Sequence, residues 1–465
     1  MELNSLLLVK IISILLSCAI LVLLAIKKPG LSDFFEKAGL FGLFLFALFI
    51  PVKDEFAIFG MVGAIIFFIA YRIAKRDAKI PETGFNIPIL IYSGIVTASL
   101  LWTHSVGGSI NEGGEIVYFV MFFFAAVGLL STKKRIDFMV NTFIFSISIA
   151  IIHGFFQGLF INAINSPSRL TGLTGNWTSF PVQVSYGLTA IIAYYLVNFT
   201  KQDDGRHEYL RKKAASFAMN AVFGIIVLAG FFDIVLSKAR SAWIGIIPAI
   251  FVLMYLKSKR LFLIVLVLIL VLNIGFFSVS KTFKGRIFSM FNPKVYKLEL
   301  RHHGDIESHI ALVESAWAVF KRFPLTGVGV GAFSKYFDGH KDVRFPWYYN
   351  PKTGKKIYDL YDNWPENGYM QTLAETGIFS FIALMWLFFL ALKKPLKLFM
   401  NTDDRFKLKI AAMTLGADIV FYGSFVGVSN MSNDEITNLW FFFLAVFAAA
   451  VLLPPRQSKL KLKDL

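Results

Sequence analysis

Apolar residues occur in long runs along the chain, and polar residues are concentrated between the runs. A membrane-spanning helix needs about 20 mostly apolar residues. Such runs lie at 5–26, 31–51, 56–71, 85–104, 115–131, 137–160, 178–199, 214–236, 240–257, 261–280, 367–392, 408–429 and 435–453. They predict an all-α, polytopic membrane protein with thirteen spanning helices, or twelve because the 31–71 region is dense.

The first run is interpreted as a retained helix and not as a signal peptide. It is long and strongly apolar, and Lys27, Lys28, Pro29 and Gly30 follow it in place of small residues typical of a cleavage site.

One long amphiphilic segment, 281–366, interrupts the series of apolar runs. Within it, apolar residues at positions 310, 313, 317 and 320 have helical spacing and predict a helix over Glu307–Phe323. The expected organisation is ten spanning helices in 1–280, a large partly helical periplasmic loop in 281–366, the C-terminal spanning helices in 367–453 and a basic cytoplasmic tail in 454–465.

The composition agrees with a membrane protein. Of 465 residues, 56% are hydrophobic and 17% are charged, and there is one Cys. Soluble domains carry about a quarter charged residues, so these values exclude disorder, a soluble α/β enzyme and a disulfide-stabilised secreted domain.

The net charge of +17 resides mostly in alternate loops. By the positive-inside rule these loops are cytoplasmic, so the charge indicates orientation and contact with membrane lipids and does not indicate a nucleic-acid partner.

Two patterns in the long loop suggest ligands at first sight. The glycines of 327–331 superficially resemble a nucleotide-binding loop, but the required strand and βαβ context are missing. We interpret them as a turn that returns Phe333 and Tyr336 to the membrane surface. The histidines match no compact metal-ligand spacing, so neither a metal nor another cofactor is expected; they are His302, His303, His309 and His340.

Basic residues at the predicted outer helix ends are better candidates for binding. Arg169 precedes the seventh predicted helix, and Lys238 and Arg240 precede the ninth. Arginine binds phosphate in a bidentate manner and stays charged, so two arginines at one membrane level suit a lipid diphosphate. The alternative is that the arginines extend to the interface or pair with Asp233, which also lies in a predicted helix.

The stretch that begins the eleventh predicted helix allows two interpretations. Asn363 fits a helix N-cap with Glu366 as its capping-box partner. Alternatively, Glu366 is a general base at the membrane boundary. Asn367 and Gln371 are four residues apart and share a helix face.

Three motifs occur in a fixed order along the last two-thirds of the chain. They are Glu314-Ser315-Ala316-Trp317, Phe323-Pro324-Leu325-Thr326-Gly327-Val328-Gly329-Val330-Gly331-Ala332-Phe333, and Asn367-Gly368-Tyr369-Met370-Gln371-Thr372-Leu373-Ala374-Glu375-Thr376-Gly377. Two arginines precede them: Arg169 in an Arg-Leu-Thr-Gly setting, and Arg240 shortly before Ala-Trp. This ordered set resembles the O-antigen ligase and polymerase family of bacterial envelope glycosyltransferases.

The resemblance implies a GT-C-type fold and a metal-independent glycosyltransferase without a nucleotide sugar. The donor would be an undecaprenyl-diphosphate-linked glycan, and the acceptor a lipid A-core sugar for a ligase or a lipid-linked glycan for a polymerase. Arg169 and Arg240 would hold the diphosphate. Glu366 stands where the family has a histidine base, so either Glu366 is the base or a loop histidine, His309 or His340, replaces it.

The expected function is therefore glycan transfer by an O-antigen ligase-like enzyme, with a polymerase as the alternative. The expected location is the bacterial inner membrane, with the site facing the periplasm. The expected catalytic residues are Glu366, Arg240 and Arg169, and the expected substrate-binding residues are Arg169, Arg240, Lys238, His309, Tyr336, Asn367 and Gln371. A transporter or flippase of a lipid-linked sugar ranks second, because no repeat is visible and the arginines lie at the outer boundary. A scaffold for envelope assembly ranks third.

Overall fold

The structure is a computed structural model. It describes residues 29–77, 79–161, 169–198, 206–264, 266–267, 270–271, 305–339, 365, 367–427 and 434–454. The predicted helix 5–26, most of the predicted helix 261–280, and the basic tail beyond residue 454 lie outside the described residues.

The described residues form α-helices and contain no β-strand, which confirms the all-α class. The helices are α1 (Ser32–Phe49), α2 (Asp54–Lys75), α3 (Asn86–Ala98), α4 (Val106–Leu129), α5 (Lys133–Phe160), α6 (Ser179–Asn198), α7 (Arg206–Ser237), α8 (Arg240–Lys257), α9 (Asp305–Arg322), α10 (Phe333–Gly339), α11 (Gly368–Asn401), α12 (Arg405–Ser424) and α13 (Asp434–Leu452). Short 3₁₀ turns lie at Pro29–Leu31 and Ser99–Leu101.

Length and apolar composition make seven of the described helices suitable for crossing a membrane. These are α2, α4, α5, α6, α8, α11 and α13. They confirm a polytopic membrane protein, whereas the expected count of twelve or thirteen and the division at residues 280, 366 and 453 remain predictions.

One helix begins well before its apolar run. The prediction placed it over 115–131, whereas α4 starts at Val106. Its first two turns contain Gly107, Gly108, Ser109 and Glu112, which interrupt the apolar pattern. Ser109 and Glu112 are nevertheless buried, because one side of these turns packs against another part of the chain.

The bundle is centred on α13. Its residues 435–450 are buried, and it packs between α4 and α12. A helix that is apolar on every side is expected at the centre of a bundle. Around it, α12 also contacts α6, α8 and α11, so α12 links the middle of the chain to its C-terminal part.

Close helix contacts depend on small residues. A Cβ atom built on Gly60 of α2 would lie 2.6 Å from the amide nitrogen of Phe46 and 2.7 Å from the carbonyl oxygen of Gly42 in α1. Membrane helices approach each other closely where glycines face each other, because backbone packing replaces the hydrophobic effect inside lipid.

Ion pairs tie helices together at the end of the bundle where α5 begins. Arg135 of α5 lies 2.7 Å from Glu36 of α1, and Lys409 of α12 lies 2.5 Å from Asp137 of α5. Part of the positive charge in the predicted cytoplasmic loops therefore also joins helices.

Two helices come from the long segment 281–366. The helix predicted over Glu307–Phe323 corresponds to α9, which packs against α11. The short helix α10 follows residues 327–331, called the glycine run below. Residues 281–304 and 340–364 lie outside the described residues.

The Gly42–Gly60 contact predicts opposite effects of alanine at two positions of the same helix. Gly60→Ala should lower the melting temperature of the detergent-solubilised protein by several degrees, because α1 and α2 must separate. Gly63→Ala is the matched control: nothing lies within 4 Å of a Cβ at Gly63, and alanine favours helix by about 1 kcal/mol over glycine. Equal melting temperatures for the two variants would contradict the contact.

Candidate functional site

A tight turn between α7 and α8 presents two of the predicted basic residues. Lys238 adopts a left-handed conformation with φ of 57°. The Ala239 amide donates to the Ser237 hydroxyl at 3.3 Å, and the Trp243 indole donates to the Ile234 carbonyl at 2.9 Å. These bonds fold the start of α8 back on the end of α7. Lys238 is buried at the turn, and Arg240 is partly exposed as the first residue of α8.

The segment that carries Arg169 is held by the end of α5. The side-chain oxygen of Gln157 accepts from the amides of Thr171 and Gly172 at 3.3 and 3.0 Å. The Arg169 guanidinium lies 4.0 Å from the centre of the Trp177 ring. A cation over a tryptophan face is stabilised by the ring quadrupole, so Trp177 positions Arg169. The sequence contains no signal that pairs these two residues.

Shared contacts with Gly158 of α5 bring the two basic segments to the same end of the bundle. A Cβ atom on Gly158 would lie 2.9 Å from Leu236 and 3.5 Å from Leu170. Leu170 follows Arg169 directly, and Leu236 lies four residues before Arg240, on the other side of the turn. The structure therefore places both arginines at the bundle end where α5 and α7 terminate.

Asp233 does not form a hydrogen bond with either arginine. It is fully buried in α7, and neither of its carboxylate oxygens has a hydrogen-bond partner. Its carboxylate packs against Gly154 and Phe180. The structure therefore shows no hydrogen bond between Asp233 and either arginine, and extension of the arginines to the interface stays the alternative to phosphate binding.

The start of α11 reaches the same region through the end of α12. The Asn367 amide group donates to the Val426 carbonyl at 2.9 Å, and the Gly368 amide donates to the Phe425 carbonyl at 2.9 Å. A Cβ atom on Gly427 would lie 3.2 Å from the Cβ of Ser241. Since Ser241 follows Arg240, residues 425–427 connect the start of α8 to the start of α11.

Asn367 is the N-cap of α11. Its side-chain oxygen accepts from the Met370 amide at 3.0 Å, and its carbonyl accepts from the Gln371 amide at 2.9 Å. The helix therefore begins one residue after Asn367, whereas the capping interpretation placed the cap at Asn363. Asn363 and Glu366 lie outside the described residues, although Glu366 directly precedes Asn367 in the chain.

Gln371 faces the interior. It is buried, and its side-chain nitrogen donates to Glu375 at 3.3 Å. Asn367 and Gln371 therefore have different partners: Asn367 caps the helix and bonds to the end of α12, and Gln371 supports a buried carboxylate.

Tyr336 is also buried and is part of a small apolar cluster around α9 and α10. Its hydroxyl accepts from Arg322 at 2.8 Å, and its ring packs edge-on against His104 and Phe323. Phe333 is fully buried in the same cluster. The glycine turn does return both aromatic residues, but they pack inside the protein. His309 lies in α9 with its side chain outside the described residues, and His340 lies outside them altogether.

The glycine run docks on α11 through main-chain hydrogen bonds. The amide of Val328 donates to the Ala374 carbonyl at 3.0 Å, and the amide of Gly329 donates to the Glu375 carbonyl at 2.8 Å. Gly327, with φ of 63°, leaves no space for a side chain against the backbone of Glu375. These contacts confirm a turn and explain the glycines by close backbone packing.

A kink in α11 completes this docking. Gly377 has φ of 76° and ψ of −175° within the helix. The Ile378 amide donates to the Pro324 carbonyl at 2.9 Å. A left-handed φ is accessible to glycine without strain, so the motif that ends at Gly377 bends α11 around the glycine run.

Glu375 is the buried acid at the centre of the two motifs, and it is not among the site residues expected from the sequence. Its carboxylate accepts from the Phe333 amide and from Gln371, both at 3.3 Å. Its only signal in the sequence was its place in the family-like motif. A buried carboxylate requires such donors, so Glu375 fixes the far end of the glycine run to α11.

The turn before α4 holds the other side of the glycine run. The Trp102 indole donates to the Thr326 carbonyl at 3.0 Å, and the His104 amide donates to the Val328 carbonyl at 2.9 Å. The Ser109 hydroxyl bonds to the Val330 carbonyl. The glycine run is therefore enclosed between α11 and the start of α4, which explains the buried polar residues there.

The site offers cations for an anion. Arg169, Lys238 and Arg240 lie on segments that meet at one end of the bundle, and the N-terminus of α11 adds its partial positive charge there. The amides of Gly368, Met370 and Gln371 at the start of α11 are used by Phe425 and Asn367, so the positive charge at this end of the bundle comes mainly from the basic side chains. Within the described ranges, no group of His, Cys, Asp or Glu side chains is arranged to hold a metal ion.

Comparison with known families finds a match in the middle of the chain. Residues 225–385 match the family described as O-antigen ligase. The matched region contains Arg240, the glycine run and the start of α11, and it confirms the resemblance deduced from the motifs. No curated protein matches the chain. The match supports a membrane glycosyltransferase of the O-antigen ligase or polymerase type in general.

Docking of the glycine run predicts a specific sensitivity at Gly327. Gly327→Ala should lower the melting temperature, because the methyl group meets the backbone of Glu375 and Thr376 in addition to the strain of a left-handed alanine. Gly175→Ala is the control for strain alone: Gly175 has φ of 76°, and nothing lies within 4 Å of its Cβ position. Strain of this kind costs about 1–3 kcal/mol. If both variants are destabilised equally, the backbone contact does not limit stability.

Proposed function

We propose that the protein transfers a glycan from a lipid diphosphate to a sugar hydroxyl, as an O-antigen ligase-like enzyme. The observation that carries this proposal is that the segments bearing Arg169, Lys238 and Arg240 lie with the start of α11 at one end of the helix bundle. The family match over 225–385 covers two of these three segments.

The basic residues suit the leaving group of such a reaction. When the bond between the anomeric carbon and the diphosphate oxygen breaks, negative charge develops on the diphosphate. Guanidinium groups form charge-assisted, bidentate hydrogen bonds with phosphate oxygens. Their stabilisation is greatest where water is excluded and the donors are already oriented. Contact with Trp177 orients Arg169 in this way.

The proposed donor is an undecaprenyl-diphosphate-linked glycan, and the proposed acceptor is a lipid A-core sugar. If the acceptor is a second lipid-linked glycan, the same chemistry makes the protein a polymerase. In either case, the acceptor hydroxyl attacks the anomeric carbon, its proton passes to a base, and the lipid diphosphate leaves. Neither a nucleotide nor a metal ion takes part in this scheme.

Glu366 is the proposed base because it directly precedes Asn367, whose side chain is bonded to the end of α12 beside Ser241. A carboxylate takes a proton efficiently when its pKa is close to the working pH. His309 and His340 are the alternative bases. Asn367 and Gln371 support the start of α11, and Tyr336 supports the glycine run.

The proposed location is the bacterial inner membrane with the site on the periplasmic face. This orientation is supported by the distribution of charge, since the loops between the other helix ends carry most of the Lys and Arg residues. The long segment 281–366 then forms the outer loop of the enzyme.

One observation favours transport as a second candidate. Asp233 and Asp418 are fully buried carboxylates within helices, and each has an oxygen without a hydrogen-bond partner. Ionisable groups inside a membrane often mark a transport path. A flippase would move the lipid-linked sugar without changing its mass.

The test is incubation of the purified full-length protein with an undecaprenyl-diphosphate-linked oligosaccharide and candidate acceptors in EDTA. Addition of one glycan to a lipid A-core acceptor supports a ligase, and a ladder of repeats supports a polymerase. Absence of any product, together with movement of the lipid-linked sugar across vesicles, would replace transfer by transport. If transfer occurs without EDTA and is lost in its presence, the reaction requires a metal ion.

Removal of either arginine should abolish most transfer. Arg169→Ala and Arg240→Ala should each lower kcat about 100-fold or more, as expected when a donor to a developing oxyanion is lost. Arg260→Ala is the control, because Arg260 is an exposed arginine beyond the opposite end of α8. Measurement of initial rates at equal protein levels decides the outcome. Wild-type rates in either variant would remove that arginine from the site.

Glu366→Gln should lower kcat by about 100-fold to 10,000-fold with little change in KM, because the side chain keeps its size and loses the basic oxygen. His309→Gln and His340→Gln should retain wild-type kcat. If Glu366→Gln is fully active and one histidine variant is not, the base is that histidine.

A further inference from the structure

A groove with apolar walls lies at the opposite end of α2 from Asp54. It has a volume of about 480 Å³ and lies between the last turns of α2, the segment 77–81 and α4. Its apolar wall consists of Phe68, Ile69, Ile73, Ile80, Pro81 and Phe124. Ile69 is 37% exposed, so the groove opens on the outer surface of the bundle, which faces lipid in a membrane protein.

Basic residues line one rim of this groove. They are Arg72, Arg76 and Lys79, and Asp77 is the one acidic residue among the lining residues. Arg72 lies 3.0 Å from Asp77 and also donates to the Lys79 carbonyl. This ion pair neutralises Arg72, and the two contacts hold Asp77 and Lys79 close to the end of α2.

Asp77 stays ionised and therefore cancels one positive charge. The hydrogen bond from the Lys79 amide and the neighbouring Arg72 lower the pKa of the Asp77 carboxyl. Arg76 and Lys79 are exposed, and within the described ranges neither side chain is paired with a carboxylate. The rim thus has two uncompensated positive charges beside an apolar wall.

The backbone holds Arg76 at this rim. Arg76 ends α2 in a left-handed conformation with φ of 52°, and its amide donates to the Ile73 carbonyl at 3.0 Å. The chain therefore turns at Arg76 and returns along the groove to Ile80 and Pro81. This turn places Arg76 and Lys79 on one short segment beside the groove.

We propose that this groove binds an anionic glycerophospholipid, with its phosphate between Arg76 and Lys79 and an acyl chain along the apolar wall. Basic pockets beside membrane helices attract anionic headgroups, and each basic side chain near such a surface contributes about 1 kcal/mol. The apolar wall supplies the additional contact that a soluble anion does not make. The site is separate from the basic segments of the proposed transferase site and does not depend on that function.

Native mass spectrometry of the purified full-length protein tests the charged rim. Wild-type protein should retain phosphatidylglycerol in preference to phosphatidylcholine. The double variant Arg76→Gln, Lys79→Gln should bind phosphatidylglycerol roughly thirtyfold more weakly, as two such contributions predict. Lys259→Gln, Arg260→Gln removes the same charge from two exposed residues outside the groove and should bind as wild type does.

A second pair of variants tests the apolar wall without changing charge. Ile69→Trp fills the groove and should also weaken phosphatidylglycerol binding, whereas Ile149→Trp changes an exposed isoleucine of α5 outside the groove and should not. The proposal is overturned if the Arg76/Lys79 variant binds phosphatidylglycerol as strongly as wild type does. It is also overturned if either control variant loses as much binding as its test variant, or if wild-type protein retains phosphatidylcholine as well as phosphatidylglycerol. Displacement of the lipid by millimolar inorganic phosphate would assign the rim to a soluble anion and also overturn it.

Discussion

Main-chain docking of the glycine run on α11 is the constraint on which the rest of the site depends. The amides of Val328 and Gly329 bond to carbonyls of α11, and the Ile378 amide bonds back to Pro324. Two backbones this close leave no room for a Cβ, which requires glycine at 327 and 377. The buried Glu375 carboxylate then needs the Phe333 amide as a donor. The two motifs therefore fit each other, and their contacts hold the glycine run against the first turns of α11, whose start is capped by Asn367.

The start of α11 matters because the basic residues lie next to the same end of α12. Residues 425–427 bond to Asn367 and Gly368 on one side and contact Ser241 on the other. The Arg169 segment joins them through Gln157 and the shared contact at Gly158. Asp233 is buried near these segments, but its carboxylate does not hydrogen-bond either arginine. A preorganised cationic site at a membrane boundary is what a departing lipid diphosphate requires.

The helices could be predicted because twenty apolar residues have few alternatives to a membrane span. Loop charge indicates only roughly that the segments of Arg169 and Arg240 lie at the same end of the bundle. Their proximity depends on Leu170 and Leu236, which both pack near Gly158, and such tertiary packing is not visible in the sequence. The early start of α4 and the role of Glu375 could not be predicted. In both cases polar residues are buried against a turn more than forty residues away in the chain, and local patterns carry no record of such partners. The sequence also did not distinguish Asn363 from Asn367 as the cap of α11. The hydrogen bond from Asn367 to Val426 favours Asn367, and its partner lies about sixty residues away in the chain.

Residues 425–427 hold the start of α8 next to the start of α11. A disulfide between Ser241→Cys and Gly427→Cys tests this placement directly, in a background with Cys18→Ser. A Cβ built on Gly427 lies 3.2 Å from that of Ser241, a few tenths of an ångström below the disulfide range of about 3.5–4.5 Å, so a small outward shift allows the bond. Mass spectrometry of the oxidised, digested protein should show the linked peptides in most molecules, whereas each single-cysteine variant gives none. If the double-cysteine protein folds but gives no linked peptides, Ser241 does not lie next to Gly427.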